Sequence, residues 1–189
     1  MSIKFINYYN IFKNMSFERM GWKLSIMMLI LVAVILRLIG SQTVLFGDET
    51  LFAENVRSEE YVNYYAAHPP LSLWILTFWG SLFNHSIIAI RLITSFFSIV
   101  TIILTSLIAR DYFSEKTSVL SALFLIFSPW FLVGSLQLDI VGSFLTCFYT
   151  FSLFFYLKFL DNNKLKYIVL SGIAAGFSLL TNYGAALLF

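Results

Sequence analysis

Charge is the scarcest commodity in this chain: 12% of its 189 residues are Asp, Glu, Lys or Arg, against roughly 25% in soluble globular domains. So little charge cannot clothe a water-facing surface, and a soluble domain is excluded. Cysteine occurs once, as Cys147 inside apolar sequence. No disulfide framework can form within the chain, and the thiol reads as buried and inert. There are two histidines and no ligands at a recognisable metal spacing, so no metal or other cofactor is expected. The net charge of +2 comes without any basic run, which removes nucleic acid from the expected partners. Internal repeats and low-complexity tracts are absent too. Proline occurs three times, and two of the three adjoin as Pro69-Pro70.

What fills the chain instead is apolar: 59% of it is hydrophobic, with 21 Phe and 10 Tyr, a composition suited to lipid contact and interfacial anchoring. The rings could also line a sugar or lipid site. Five runs reach or approach the roughly 17 to 25 residues that a bilayer core requires. They are Leu24–Gly40, Ser86–Ala109, Thr117–Gly134, Ile140–Leu157 and Tyr167–Phe189. The expectation is an all-α membrane protein, one transmembrane domain over 1–189 built as a bundle of about five transmembrane helices. Lys4, Lys13, Arg19 and Lys23 precede the first run and could mark a secretory signal. That run is long for a signal core and lacks a good cleavage site, so it is read as an uncleaved first span. Pro69–Phe83 has only 15 residues and is expected to be re-entrant or interfacial. The sequence is still apolar at Phe189, as in the front part of something longer.

The cations set the orientation, because Lys and Arg concentrate in cytoplasmic loops. With five spans and a cytoplasmic N-terminus, nine of the twelve cations lie inside: Lys4, Lys13, Arg19, Lys23, Arg110, Lys116, Lys158, Lys164 and Lys166. Were Pro69–Phe83 to cross, Arg110, Lys116, Lys158, Lys164 and Lys166 would all move outside and break the rule. The five-span reading makes 41–85 the first extracytoplasmic loop and puts Asp139 on the same side as Asp48 and Glu49.

That loop contains the densest polar chemistry, since Phe46–Leu71 holds five of the ten acidic residues and His68. Leu51, Phe52 and Val56 recur at helical spacing after Asp48, a plausible N-cap, and Glu49 suits the positive end of a helix dipole. Adjacent carboxylates with a further acid, Asp139, in a later outer loop form a constellation that packing does not require. Asp139 could equally cap a helix starting at Ile140. His68 precedes a rigid Pro-Pro turn and could bind phosphate or carboxylate, or rest on backbone at the interface. Arg37 and Arg91 lie inside apolar runs, where cations face a polar cavity or anion, or snorkel. His85, beside Asn84, is expected in solvent. Gly172 and Gly176 have the spacing that seats a neighbouring helix.

The Asp48-Glu49 pair after the first span, Tyr65-x-x-His68-Pro69-Pro70-Leu71, Arg91-Leu92 opening the next span, and Asp139 resemble, in order and spacing, the front third of the membrane glycosyltransferases that use polyprenyl-phosphate sugars. That group includes the protein O-mannosyltransferases and the lipid A aminoarabinose transferases. The resemblance implies a GT-C fold with juxtamembrane helices in the outer loop and an extracytoplasmic active site at the plasma membrane. It implies Asp48 as the base with Glu49 supporting the loop or the acceptor, His68 and Arg91 on the lipid phosphate, and Asp139 and Tyr65 on substrate. The partners it implies are a polyprenyl-phosphate-linked sugar, a protein, lipid or glycan acceptor, and membrane lipid. Asn182 stands where many relatives carry lysine, so that position supplies no charge to a phosphate. The competing class is a non-catalytic membrane protein, either a transporter fragment or a truncated relative that binds lipid-linked sugar without turnover.

Overall fold

In a computed structural model of the chain, the described residues are 19–42, 49–58, 69–136 and 141–187. They are helical nearly throughout, and no strand occurs among them. In chain order the elements are α1 (Arg19–Gly40), α2 (Glu49–Ser58), α3 (Leu71–Leu82), α4 (Ile87–Tyr112), α5 (Glu115–Phe127), α6 (Pro129–Leu136), a π-helical turn (Val141–Leu145), α7 (Thr146–Asn162), α8 (Leu165–Thr181) and a 3-10 turn (Tyr183–Leu187). Three helical stretches are long and apolar enough to cross a membrane, Gly21–Gly40, Ile87–Tyr112 and Ser143–Asn162. Exposed Leu31, Ile35, Phe96, Leu160 and, on α5, Phe124 lie on their outer faces. Lipid tolerates such faces and water does not, so this is an all-α membrane protein.

Two of the expected spans come out differently. Thr117–Gly134 is not one straight helix: α5 and α6 meet at a bend of 61°. The cause is Pro129, which has no N–H to donate and drives its predecessor out of the α region; Ser128 is accordingly extended, with φ −63° and ψ 116°. The pair still runs from one end of the bundle to the other. At its start Ser118 donates to the Ser106 carbonyl at 2.7 Å, and at its finish the Ser135 carbonyl accepts from Ser95 at 3.1 Å. With this bent pair counted as one span, the described residues hold up to four. The last run, expected over Tyr167–Phe189, stops as a helix at Thr181 after 17 residues, where Asn182 turns extended at φ −155°. The 12 residues of α3 rise about 18 Å at 1.5 Å each, short of a hydrocarbon core of about 30 Å.

In lipid, helices gain nothing from burying apolar surface against each other, so tight packing and interhelical hydrogen bonds must hold them. Here hydroxyls do much of the joining. Trp22 Nε1 donates to Ser118 Oγ at 3.0 Å, tying α1 to α5, and Ser171 Oγ donates to the Ser152 carbonyl at 2.9 Å, tying α8 to α7. Thr94, Ser98 and Thr101 are buried along one face of α4, at the i, i+4, i+7 spacing of a helix stripe. At the end of the bundle opposite Arg91, Arg110 and Lys158 both bind Asp111, at 2.8 and 2.7 Å, Tyr112 donates to Asp161, and the Arg110 guanidinium lies 4.6 Å from the Trp22 ring centre. These groups are partly exposed, so Asp111→Asn is expected to lower stability by no more than about 1 kcal/mol, with the difference shrinking in high salt; thermal unfolding in detergent at two ionic strengths checks it.

Glycines do not sit where their spacing suggested. A Cβ at Gly172 or Gly176 would meet nothing within 4 Å, so this pair seats no helix of the described chain. Gly40 is the crowded one: a Cβ there would lie 2.5 Å from Leu136 Cδ2 and 3.0 Å from its Cγ. Close approach at this point brings the end of α1 against the end of α6. Gly40→Val is expected to cost about 1–3 kcal/mol by overpacking, read as a lower melting temperature, whereas Gly176→Val is expected to change it little.

Candidate functional site

The end of the bundle away from Asp111 is assembled from four short pieces of chain. Gly80 lacks the Cβ that would press on Val56 Cγ1 and His85 Nδ1, each at 3.3 Å, so α2 can lie close to α3. Ala53 and Val56 of α2 pack with Leu73 and Leu76 of α3, Ile90 of α4 and Phe144 of the π turn in one buried cluster. Fully burying a valine such as Val56 contributes on the order of 1.5–3 kcal/mol in an aqueous reference. This wedge fixes where α2 begins. Its first residue is Glu49, directly after Asp48, at the position expected for a helix led by an acidic cap.

Glu49 is buried, and what it meets is Arg91. Arg91 Nε donates to Oε1 at 2.6 Å and Nη2 to Oε2 at 2.8 Å, the fork-to-fork geometry that makes arginine and carboxylate the strongest common ion pair. Nη1 of Arg91 donates to the Ser41 carbonyl at 3.0 Å, at the end of α1. One guanidinium therefore clamps the starts of α2 and α4 to the end of α1. The carboxylate is committed to an arginine along both oxygens. In this arrangement it holds geometry and charge, and removing a proton from an acceptor is work for another carboxylate.

Two helical turns further along α4, Ser98 Oγ accepts from Arg37 Nε at 2.7 Å, and Arg37 Nη1 donates to the Ala33 carbonyl at 3.2 Å. Arg37 does not snorkel, since only 1% of it is exposed. Ser98 passes the bond on to the Ser95 carbonyl, while Ser95 and Thr94 both donate to the Ser135 carbonyl, at 3.1 and 3.5 Å. This polar seam pins the end of α6. Sequence reasoning passed over Ser95, Ser98 and Ser135; the sign that could have found them is hydroxyls recurring on one face of an apolar span. His85 is half-buried with a left-handed φ of 54°, and its Nδ1 is buried without a hydrogen-bond partner among the described residues, so it is not the solvated side chain expected.

Of the six expected site residues the structure brings Glu49 and Arg91 together, while Asp48, Tyr65, His68 and Asp139 lie outside the described residues. No group of three or more His, Cys, Asp or Glu that could hold a metal occurs among the described residues. The family described as dolichyl-phosphate-mannose-protein mannosyltransferase matches residues 67–189. No curated protein matches the chain, and no solved structure does.

Proposed function

The chain belongs to the dolichyl-phosphate-mannose-protein mannosyltransferase family, and from that membership we propose that it moves a sugar from a polyprenyl-phosphate donor to an acceptor hydroxyl at the extracytoplasmic face of the plasma membrane. The observation that carries the reading is the buried Glu49–Arg91 pair at the head of α2, next in sequence to Asp48. An alcohol is a weak nucleophile at neutral pH, and a carboxylate that takes its proton in the transition state contributes about 10² to 10⁴ in rate. Asp48 fills that role. Glu49 holds the loop that carries it and serves as counter-ion to Arg91.

The acceptor oxygen attacks the anomeric carbon as the bond from that carbon to the phosphate oxygen breaks, the acceptor proton passes to Asp48, and the lipid departs as polyprenyl phosphate. A phosphate already leaves well, so no general acid is needed, but its growing charge must be met by fixed cations or donors. His68 meets it from the sugar side, with Asp139 and Tyr65 positioning substrate, while Arg91, its charge balanced by Glu49, holds the loop in place. Attack opposite the leaving group inverts the anomeric centre. The reading is tested with the full chain in proteoliposomes, supplied with labelled polyprenyl-phosphate mannose and an acceptor peptide. Transfer with inversion supports it, and retention of the lipid without transfer favours the non-catalytic binder.

The orientation is tested separately. Phe113 is exposed and 22 residues beyond Arg91, about 33 Å at 1.5 Å per residue. With Arg91 outside, Phe113→Cys is expected to resist a membrane-impermeant thiol reagent applied to intact cells and to react after permeabilisation. Labelling from outside would put the acids and the proposed donor on the wrong sides.

A further inference from the structure

Among the described residues, three charged side chains are almost wholly buried at the Glu49 end of the bundle: Arg37 and Arg91 at 1% exposure and Glu49 at 3%. Arg91 and Glu49 cancel one another, being bound along both edges. Arg37 is left over. Among the described residues its partners are neutral, a serine hydroxyl and the carbonyl of its own preceding turn, and Nη2 is buried with no hydrogen-bond partner there. A guanidinium held inside a bundle without an anion is costly, and such cations in membrane proteins face an anionic partner or a path for one.

We infer that Arg37 is a phosphate-holding residue for the lipid-linked donor, receiving the phosphate on its unpartnered Nη2; this rests on the reading that the donor is a polyprenyl phosphate. Two features give the direction of approach. Ser98, which anchors Arg37, lies seven residues beyond Arg91 on α4, about 10 Å along the axis at 1.5 Å per residue, so the Arg37 anchor is on the membrane side of the Glu49–Arg91 pair. A donor whose sugar reaches the acids and whose tail lies in lipid has its phosphate between the two arginines. The cover over Arg37 is the Phe131 ring, 5.8 Å from the guanidinium carbon. Its electron-rich face partly offsets the charge while no anion is present. Phe131 is the third residue of α6, just past the break at Ser128 and Pro129, and beside it Trp130 is 85% exposed. A lipid phosphate arriving from the membrane turns that ring aside and takes its place, and the planar guanidinium fork suits phosphate oxygens.

The test is binding of farnesyl phosphate to the full chain in nanodiscs, with farnesol as the control lacking the anion. Arg37→Met removes the charge while keeping length. It is expected to weaken farnesyl phosphate binding at least tenfold, to leave farnesol binding unchanged, and to raise KM for donor more than it lowers kcat; Arg37→Lys is expected to recover part of the loss. Farnesyl phosphate binding equal to wild type in Arg37→Met overturns the assignment and leaves Arg37 a structural residue. Should wild type itself bind farnesyl phosphate no better than farnesol, the lipid-phosphate donor falls and this inference with it. Should Arg37→Met fail to insert, Phe131→Leu decides: uncovering the guanidinium is expected to tighten farnesyl phosphate binding severalfold, and unchanged affinity overturns the proposal.

Discussion

Asp48→Asn is expected to lower sugar transfer by about 10² to 10⁴, the range a positioned base contributes, while membrane insertion and donor binding stay as in wild type. The amide is nearly the same size as the carboxylate, so it can occupy the same space. It cannot take a proton from the acceptor hydroxyl. Because Glu49 is held on both oxygens by Arg91, it is not free to take over from its neighbour, and no partial rescue is expected. Transfer measured under single turnover, with donor binding followed separately, reads the two effects apart. Equal rates in mutant and wild type would remove Asp48 from the chemistry.

The second large effect concerns folding. Glu49→Gln leaves the Arg91 guanidinium buried opposite a neutral amide, and removing one partner of a buried pair costs about 3–5 kcal/mol. Arg91→Met strands the carboxylate in the same way. With both changes made, two neutral side chains face each other, and the loss is expected to be much smaller than the sum of the single losses. Unfolding of the four variants in a common detergent supplies the cycle. A sum that simply adds would mean the two residues do not depend on each other. Arg91→Lys separates charge from shape: an ammonium keeps the charge and cannot grip both oxygens in one plane, so most of the loss is expected to persist.

The residues that were easiest to read are those whose reason is local. Apolar length marks α1 and α4 within a few residues, and an acidic residue before a helical pattern marks the head of α2, because span length and helix capping are properties of consecutive sequence. The bend between α5 and α6 was also written locally, at Pro129, but apolar length outweighed it: a hydropathy count treats proline as one more apolar residue, although its ring ends a helix. Partnership was not legible. Glu49 was expected to support the loop or the acceptor and Arg91 to hold the lipid phosphate, and 42 residues separate them, so nothing in the spacing says that they meet. Arg37 shows the same limit from the other side, since snorkelling and burial begin from the same sequence and differ only in whether Ser98 stands within reach. The Gly172 and Gly176 spacing offered a seat without naming any occupant, and among the described residues it has none.

The charged cluster around Asp111 has an effect on how the bundle would loosen. Trp22, Arg110 and Lys158 bind together the N-terminal part of α1 and the C-terminal parts of α4 and α7 with contacts independent of Glu49, Arg91 and Arg37. Each extremity of the molecule thus has its own fastening. Loosening of the helices at the Glu49 end would therefore leave the contacts at the Asp111 end in place, a splaying about a fixed hinge plate and not a disassembly.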